Sequence, residues 1–490
     1  MKRPGIRAGA LGALVMTAVF FLIRITAGVA TPSELFADVS APYIPVHLFG
    51  ILIGIAQGYT PLKILGFTSV VAGQFVVGIG AGILLGRIPE SRRSVAAAAI
   101  VMALFAASVV AFWPVLVTSY TGLPAGPARF ATGSSLLVGF TAYAITVLAT
   151  LRATNVAADT SRRAFLAGGA SIAALTAVAS SAVLATRTVF SYDGTMYLGP
   201  DVVAVTPVSR FYVVTKNTID PDIDRGLWRL LVGGAVEIPA TMSFEELTRR
   251  TSILQATTLM CINNAPDGGL MSNAIWRGIS LRDLLIAAGP SPDAKRIAMH
   301  SADNYIETIP FSKAMEPTTI VAFEMNGESL PPRHGFPLRV IVPGLFGEKN
   351  AKWLTEITVE TTELEGFYEK QGWGPHYQIP THARFDAPDF SKPLGAGPIE
   401  VRGIGFCGNR GVSKVELSVD DGKSWRVAQF TSDFNMLTWR LWRYVWKPQP
   451  GTYRLAVRAT DSHGNVQTSS VHGAETQGAT GFDRVVAHVV

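Results

Sequence analysis

Long apolar segments in the first part of the chain constrain its fold more than any other feature. Five such segments occur, at about residues 8–30, 64–85, 94–117, 134–150 and 164–185. Each is close to the roughly 20 residues that a helix needs to cross the hydrocarbon core of a bilayer. The sequence therefore predicts a helical membrane domain of about five spans over residues 1–188. Residues 44–56 are also apolar, but they are few and include Pro45 and Gly50, so we expect a re-entrant or half-spanning segment.

The basic residues indicate how this domain is oriented. Residues 1–188 contain 13 Lys and Arg against 4 Asp and Glu, and basic loops usually stay in the cytoplasm. With five spans, nine basic residues lie inside and three outside, whereas a sixth span at 44–56 divides the same twelve equally. We therefore expect a multi-pass protein of the cell membrane whose chain beyond about residue 187 is extracytoplasmic. That later part carries 29 basic and 32 acidic residues, so nucleic acid is not an expected partner. Membrane lipid is an expected partner because of the predicted spans.

One of the two cysteines lies in a segment suited to metal binding. Cys261 ends the segment Thr-Thr-Leu-Met-Cys and precedes a basic, glycine-rich stretch over residues 334–354. A thiolate is a soft, anionic metal ligand, and Arg or Lys beside closely spaced glycines can hold a phosphate group. The pattern favours a soft metal on a phosphate-bearing cofactor. A buried apolar role for Cys261, or an extracytoplasmic disulfide with Cys407, are the alternatives.

These motifs resemble the molybdenum domain of the sulfite oxidase and assimilatory nitrate reductase superfamily. The resemblance covers about residues 200–490, and its motifs follow the order of the family at residues 228–234, 257–264, 273–281, 325–331, 334–339 and 347–354. It implies molybdopterin (Mo) as the cofactor, with Cys261 as the metal ligand and a catalytic residue. It also implies a set of cofactor-binding residues: Tyr212, Lys216, Cys261, Asp303, His334, Arg339, Lys349 and Lys352.

The pattern of strand-like and helical runs predicts two domains after the membrane part. Residues 189–224 are mixed and proline-containing, which is typical of a linker. Residues 225–390 alternate strand-like and helical runs and are predicted as an α+β molybdopterin-binding domain, with a first strand from about residue 205. Residues 391–490 have period-two strands that predict an immunoglobulin-like β-sandwich. This part also resembles the dimerisation domain of the same superfamily, which makes a homodimer a candidate assembly.

Residues 161–166 contain an arginine pair followed by Phe165 and Leu166. This pattern resembles a twin-arginine export signal inside the chain. Such export moves folded proteins, and molybdenum cofactors are inserted in the cytoplasm, so the signal fits the cofactor hypothesis. Alternatively, the two arginines simply anchor a helix end on the cytoplasmic side.

The residues expected around the substrate differ from those of sulfite oxidases. Val214 stands where the family has an arginine, residues 262–266 lack the family's arginine pair, and Trp373 aligns with the active-site tyrosine. A sulfite dianion would lose partners that each contribute roughly a few kcal/mol. We therefore expect a substrate other than sulfite, with Trp373 as a catalytic residue. His376 and His382 could line the substrate funnel, although loop positions are the simpler interpretation.

These features indicate an exported, membrane-tethered molybdopterin oxidoreductase that performs two-electron oxo transfer on a small substrate. A reductase of S- or N-oxides on the same site and a non-catalytic, membrane-anchored binding protein are the alternatives. His47 is the only histidine in residues 1–188, so this part lacks the paired axial ligands of a transmembrane haem b. No haem is predicted in this chain, and we expect an external electron donor or acceptor, such as a cytochrome or a membrane redox protein.

Overall fold

A computed structural model of the chain describes residues 2–56, 59–155, 194–217 and 219–490. The arginine pair at 161–166 and the apolar segment 164–185 lie outside the described residues. The described chain begins with helices: α1 (Lys2–Ala27), α2 (Pro32–Ser40), α3 (Val46–Ala56), α4 (Tyr59–Arg87), α5 (Glu90–Phe112) and α6 (Ala125–Asn155). Within the described part of the chain, four stretches are long and apolar enough to cross a membrane: Pro4–Ala27, Thr60–Arg87, Glu90–Val115 and Ala125–Ala153. They coincide with the first four predicted segments, whereas α3 is too short to cross.

Glycines allow α1 and α4 to pack closely. A Cβ atom added to Gly9 would lie 2.5 Å from the carbonyl oxygen of Gly78, and one added to Gly82 would lie 2.5 Å from Cα of Gly9. Small residues at a helix interface let two backbones approach each other in this way. The contact lies near the start of α1 and the end of α4.

The opposite end of the helical part faces the rest of the chain. The amide of Ser119 donates to the carbonyl of Ala302 at 2.9 Å, and the amide of Asp222 donates to the carbonyl of Tyr120 at 2.9 Å. Arg24, at the end of α1, donates to the carboxylate of Glu34 at 2.9 Å within a buried ion pair. The loops between the long helices therefore form a docking face for the next domain.

The next domain contains two five-stranded sheets. Its strands are β1 (Leu230–Gly234), β2 (Ala240–Met242), β3 (Ile253–Met260), β4 (Met271–Ser280), β5 (Arg296–Ser301), β6 (Ile306–Pro310), β7 (Ile320–Met325), β8 (Glu328–Ser329), β9 (Arg339–Ile341) and β10 (Leu354–Glu360). One sheet has the order β2-β1-β10-β5-β6, and the other has the order β3-β4-β7-β8 with β9 paired to β7. Only the pairing of β1 with β10 is parallel among the described strands of these sheets.

Short helices connect these strands: α7 (Phe244–Thr248), α8 (Leu281–Ala288), α9 (Phe311–Ala314) and α10 (Phe367–Lys370). Ser280 caps the start of α8 because its hydroxyl accepts from the amide of Asp283, and Gly289 caps its end in the left-handed conformation. Its buried face packs with Trp228 and Val340 in a core shared by both sheets. The alternation of strand-like and helical runs that the sequence predicts for residues 225–390 is therefore present in the structure.

The segment before this domain differs from the sequence expectation. A first strand is predicted from about residue 205, but the structure has a 3-10 turn at Val208–Arg210 and only an isolated bridge between Val213 and Thr195. The amide of Tyr212 donates to the hydroxyl of Ser272 rather than to a neighbouring strand. Side-chain partners therefore replace a strand ladder here.

The C-terminal part is β-rich. Its strands are β11 (His382–Ala387), β12 (Ile399–Phe406), β13 (Val412–Ser418), β14 (Arg426–Val427), β15 (Gln429–Phe430), β16 (Arg440–Trp446), β17 (Gly451–Asp461) and β18 (Asp483–Val489). They form two antiparallel four-stranded sheets, β11-β12-β16-β15 and β14-β13-β17-β18. Trp442 and Leu455, from different sheets, pack with Cys407 in one core. Because β11 pairs with β12, this unit starts before the predicted boundary at residue 391.

Candidate functional site

A cavity of about 640 Å³ lies between the α+β domain and the helical part. Its walls come from the end of β3, from the loops that precede and follow β9, and from α3 with the start of α4. All but one of the predicted site residues line it: Tyr212, Lys216, Cys261, Asp303, His334, Arg339, Lys352 and Trp373. The exception is Lys349. The fold thus gathers residues from distant parts of the sequence around one space.

Cys261 lies directly after β3, where the strand turns into the cavity wall. Its amide donates to the carbonyl of Leu270 at 2.9 Å, and its carbonyl accepts from the amide of Asn264 at 3.0 Å. Gly347 packs against it, since an added Cβ there would lie 2.6 Å from the Tyr212 hydroxyl and 3.7 Å from Cα of Cys261. The turn and the glycine together leave the cysteine side chain at the cavity.

Both cysteines belong to the described residues, and they do not form a disulfide. Cys407 is instead buried in the C-terminal core, where burial raises the pKa of its thiol to about 12. No cluster of three or more His, Cys, Asp or Glu side chains suited to a metal ion occurs among the described residues. A metal at Cys261 would therefore need its other donors from a cofactor.

His334 and Arg339 offer the cavity hydrogen-bonding atoms without protein partners. His334 Nε2 and Arg339 Nε are buried and have no hydrogen-bond partner among the described residues. The other guanidinium nitrogens of Arg339 donate to the carbonyls of His334 at 3.0 Å and Asn350 at 3.2 Å. Since a buried polar atom without a partner is costly, these atoms fit a polar group bound in the cavity.

The electrostatics of this pair follow from burial. Burial, with the positive charges of Arg339 and Lys352, lowers the pKa of His334 to about 3, so its imidazole is neutral at ordinary pH. Burial also lowers the pKa of Arg339 to about 10, which still leaves the guanidinium charged. One neutral ring and one cation thus line the same cavity.

Lys216 and Asp303 lie on the side of the cavity that meets the helical part. The Lys216 ammonium is 2.6 Å from the carboxylate of Asp38 on α2, and it donates to the carbonyl of Asp303 at 2.8 Å. Burial raises the pKa of Asp38 to about 6. Burial would lower the pKa of Lys216, but the charges of Asp38 and Asp303 outweigh that effect and raise it. Lys216, which was predicted to bind the cofactor, thus has Asp38 of the N-terminal helices as its counter-ion.

The structure does not bring Lys349 to the cavity with the other predicted residues. Its ammonium lies 2.7 Å from the carboxylate of Glu307 and 3.0 Å from that of Glu369, and 3.7 Å from the centre of the Tyr377 ring. The buried Glu307 and the half-buried Glu369 hold it at a second cavity, which Lys349 lines. The charge of Lys349 is therefore neutralised by the protein itself.

Glu348, the neighbour of Lys349, faces the cavity and was missed by the sequence reasoning. Both of its carboxylate oxygens are buried without a hydrogen-bond partner in the described part of the chain. Burial raises the pKa of this carboxyl group to about 8. Its presence inside an otherwise basic stretch was the available signal, because a carboxylate does not help to bind an anion.

Trp373 forms another part of the wall. Its indole Nε1 is buried and has no hydrogen-bond partner among the described residues, and its ring packs edge-to-face on Tyr368 at 6.1 Å between centroids. His376 lines the second cavity. His382 lies in β11 away from both cavities, where burial lowers its pKa to about 3. The cavity therefore contains Trp373 but neither of these histidines.

The helical part contributes a wall that the sequence reasoning also missed. Val46, Phe49 and Ile53 of α3 line the cavity, together with Thr60 and Pro61 at the start of α4. The available signal was the shortness of the segment 44–56, because a helix that cannot cross the membrane has to end near a surface.

Comparison with known proteins agrees with this architecture. Residues 217–368 match the family model "Oxidoreductase molybdopterin binding domain", and residues 387–476 match "Mo-co oxidoreductase dimerisation domain". The sulfite oxidase of Gallus gallus is 29% identical over 317 residues, which cover 54% of this chain and 69% of the chicken protein. The mitochondrial sulfite oxidase of Homo sapiens is 28% identical over 317 residues, covering 54% of this chain and 58% of the human protein.

A solved structure shows the same fold. The sulfane dehydrogenase SoxCD from Paracoccus pantotrophus superposes with a TM-score of 0.54 at 22% identity, covering 59% of this chain and 84% of that one. With a molybdopterin-binding domain, a dimerisation domain and a cysteine at the cavity, the chain is an oxidoreductase that uses a molybdenum cofactor. It belongs to the sulfite oxidase superfamily, with a set of apolar helices placed before the two domains.

Proposed function

We propose that the chain is an exported, membrane-tethered molybdopterin oxidoreductase that performs two-electron oxo transfer on a small substrate other than sulfite. The observation that carries this proposal is the shared cavity, which is lined by Cys261, His334 and Arg339. His334 Nε2 and Arg339 Nε are buried there without a hydrogen-bond partner among the described residues. When bound, molybdopterin supplies the metal for two-electron oxo transfer. Cys261 would be its protein ligand, and His334, Arg339 and Lys352 would hold the pterin part and its phosphate.

The charges around the cavity support a substrate other than sulfite. Lys216 is already paired with Asp38 at 2.6 Å, and two guanidinium nitrogens of Arg339 are bound to backbone carbonyls. The buried carboxyl group of Glu348 would repel a dianion whenever it is ionised. Val214 and Trp373 add apolar surface. A site of this kind is better suited to a neutral substrate.

The positions of basic residues support the proposed orientation. At the end of the bundle away from the catalytic domain, α1 carries Arg7, α4 ends at Arg87 and α6 carries Arg152. The same end is marked by the contacts of Gly5 with Gly82 and of Gly86 with Leu151. A cytoplasmic location for this end satisfies the positive-inside rule and puts the catalytic domain outside.

This orientation also favours the proposed fifth span and export signal. Helix α6 ends at the far end of the bundle, whereas Gly194 donates to the carbonyl of Val213 beside the catalytic domain at 2.7 Å. A fifth crossing at 164–185 would connect these two places. Residues 161–166 would then serve as a twin-arginine signal on the cytoplasmic side.

The C-terminal unit supports an immunoglobulin-like sandwich as its fold. Two antiparallel four-stranded sheets share one core, as in that architecture. The match of residues 387–476 to a dimerisation domain makes a homodimer the proposed assembly. An external cytochrome or membrane redox protein is proposed as the electron partner.

The proposal can be tested on full-length protein purified in detergent from a host that makes molybdopterin. We expect close to one molybdenum per chain in the wild type and in Cys407→Ala, and a Mo(V) electron paramagnetic resonance signal that changes only in Cys261→Ala. Cys407 is the matched control because it is the other cysteine and lies outside the cavity. Metal-free wild-type protein, or a signal indifferent to Cys261→Ala, would contradict the proposal.

A substrate screen on the same sample tests the second half of the proposal. Neutral sulfides and amines are supplied with an artificial electron acceptor, and neutral S- and N-oxides with a reduced dye. Sulfite serves as the comparison. Turnover of a neutral compound with a kcat/KM at least tenfold above that of sulfite supports the proposed substrate class. Preferred turnover of sulfite would exclude it.

A further inference from the structure

Helix α3 is attached to the catalytic domain at the cavity. The amide of Val46 donates to the carbonyl of Gln371 at 2.8 Å, and the side-chain amide of Gln371 donates to the carbonyl of Ala41 at 2.7 Å. Gln371 lies two residues before Trp373 in the same loop. Two hydrogen bonds thus join the start of α3 and the 3-10 turn before it to the loop that carries the indole of the cavity wall.

The other face of α3 is apolar and exposed. Leu48, Ile51 and Ile55 are 42%, 56% and 73% exposed. The helix contains no Asp, Glu, Lys or Arg, and His47 is its only polar residue. An exposed apolar surface of this kind needs a cover. In the sequence, α3 lies between α1 and α4, both of which are candidate membrane spans. The hydrocarbon of the bilayer is therefore the cover that we expect for its exposed apolar face.

The length of α3 defines how deep that contact goes. Eleven residues at about 1.5 Å each reach roughly half of the 30 Å hydrocarbon core. A helix of this length stays within one leaflet, on the side where the catalytic domain docks. Gly50 both lines the cavity and is exposed, so the cavity reaches the molecular surface along this helix.

The lining of the cavity combines polar and apolar side chains. Cys261, His334 and Arg339 are polar lining residues, where the cofactor would bind. Phe49 and Ile53 of α3 add apolar lining, as do Val214 and Trp373. A charged, water-soluble molecule would lose hydration against these side chains without gaining a partner, whereas an apolar molecule would gain from burial.

We propose that the substrate of this site is a neutral, lipid-soluble molecule that enters from the bilayer alongside α3. This inference rests on the proposed oxidoreductase function and names the class of substrate for that same site. Helix α3 is then the border between membrane and active site: its outer face contacts lipid, and its inner face contacts the substrate. The exposed Gly50 marks the passage, since an added Cβ there would meet nothing closer than Glu475 Oε1 at 3.9 Å.

Photolabelling in lipid nanodiscs tests the inference on full-length, cofactor-loaded protein. The membrane probe is a long-chain alcohol carrying a diazirine, and the aqueous probe is a short diazirine-bearing carboxylate. After illumination, labelled peptides are identified by mass spectrometry. We expect the membrane probe to label Phe49, Ile53 and the loop around Trp373 in addition to the outer face of α3. We expect the aqueous probe to label the loop at least fivefold less.

Two variants of one helix provide the matched comparison. Gly50→Trp places a large side chain at the passage, and we expect it to reduce membrane-probe labelling at Trp373 at least fivefold. Gly54→Trp makes the same change on the same helix at an exposed position that does not line the cavity, where an added Cβ meets nothing within 4 Å. It should leave labelling at Trp373 unchanged.

The outcomes separate this inference from the proposed function. Labelling restricted to Leu48, Ile51 and Ile55, or a Trp373 loop reached only by the aqueous probe, would overturn the inference. Equal loss of labelling in both tryptophan variants would also overturn it. Molybdenum content is measured on every sample. Loaded protein that is not labelled contradicts the inference alone, and labelled protein that never binds molybdenum contradicts the proposed function alone.

Discussion

The ammonium group of Lys216 lies 2.6 Å from the carboxylate of Asp38, and this ion pair joins the segment before the α+β domain to α2 of the helical part. Both side chains are largely withdrawn from water, with 13% and 7% of their surface exposed. Removing one member of a buried pair leaves an uncompensated charge, which costs about 3–5 kcal/mol when burial is complete. The docking of the two parts therefore depends on a small number of buried charges.

Asp38→Asn should lower the apparent unfolding temperature of the detergent-solubilised protein by several degrees. The remaining partner of Lys216 would be Asp303, whose carboxylate is 3.9 Å away. Differential scanning fluorimetry measures the change. The control is Asp201→Asn, which removes an exposed ion pair with Arg210 and should have little effect. Equal shifts in the two variants would show that the Lys216 pair does not stabilise the interface.

Glu348→Gln should change how stability depends on pH. Burial raises the pKa of Glu348 to about 8 from its ordinary value of 4.5. Between these pH values the unfolded chain releases a proton that the folded chain retains, so the contribution of this group to stability decreases as the pH rises towards 8. The decrease is about 1.4 kcal/mol per pH unit within that window.

Denaturant unfolding of metal-free wild type and Glu348→Gln at pH 5 and pH 8 measures this effect. We expect the variant to gain stability relative to the wild type at pH 8 and to gain much less at pH 5. A difference between the two proteins that is the same at both pH values would contradict the raised pKa.

Lys349→Met and Lys352→Met should have opposite signatures, although the two lysines are three residues apart. Loss of Lys349 leaves Glu307, which is fully buried, without its cation, and should cost about 3–5 kcal/mol of stability. Lys352 lines the cavity, so its loss should lower cofactor content with a smaller effect on stability. Thermal unfolding and molybdopterin content, both measured on each variant, test this distinction. A purely cofactor-related defect in Lys349→Met would overturn it.

Gly347→Ala should reduce the molybdenum content several-fold through a steric effect. The new Cβ would lie 2.6 Å from the Tyr212 hydroxyl and 3.7 Å from Cα of Cys261, so the turn beside the cysteine has to move. Adding Tyr212→Phe removes the nearest atom and should restore part of the metal content. Gly395→Ala is the control, since an added Cβ there meets nothing within 4 Å. Failure of the double variant to recover would place the defect elsewhere.

Gly82→Ala should destabilise the helical part, whereas Gly80→Ala should not. An added Cβ at Gly82 would lie 2.5 Å from Cα of Gly9 on the neighbouring helix, but one at Gly80 meets nothing within 4 Å. Both glycines belong to α4, so helix propensity changes equally in the two variants. Yield of monodisperse protein in detergent, together with the unfolding temperature, reports the difference. Similar behaviour of both variants would argue against close packing of α1 and α4.

Sequence patterns were sufficient where a residue acts within its own motif. Cys261 follows a strand of eight residues, and His334 and Arg339 lie in one loop and the strand after it. The resemblance of these motifs to a known family implied that the three residues share a site, and all three line one cavity. The long apolar helices were predictable because length and composition are local properties.

The remaining features depend on contacts between distant segments. A charge count does not reveal whether Lys349 or Glu348 faces the cavity; Glu307 and Glu369, which lie 42 and 20 residues from Lys349, decide it. The ion pair of Lys216 with Asp38 joins residues 178 apart. The prediction of a strand near residue 205 is wrong for the same reason. The Tyr212 amide donates to a side chain 60 residues away instead of to a neighbouring strand.

The hydrogen bonds that join Gln371 to Val46 of α3 and to Ala41 before it mean that the α+β domain does not form the candidate site alone. A soluble fragment beginning at residue 194 would lack Phe49 and Ile53 from the cavity wall and would leave Lys216 without Asp38. Its mouth would be wider and more positively charged than that of the intact protein. Rate constants measured on such a fragment would describe a different enzyme, with a selectivity shifted towards anions.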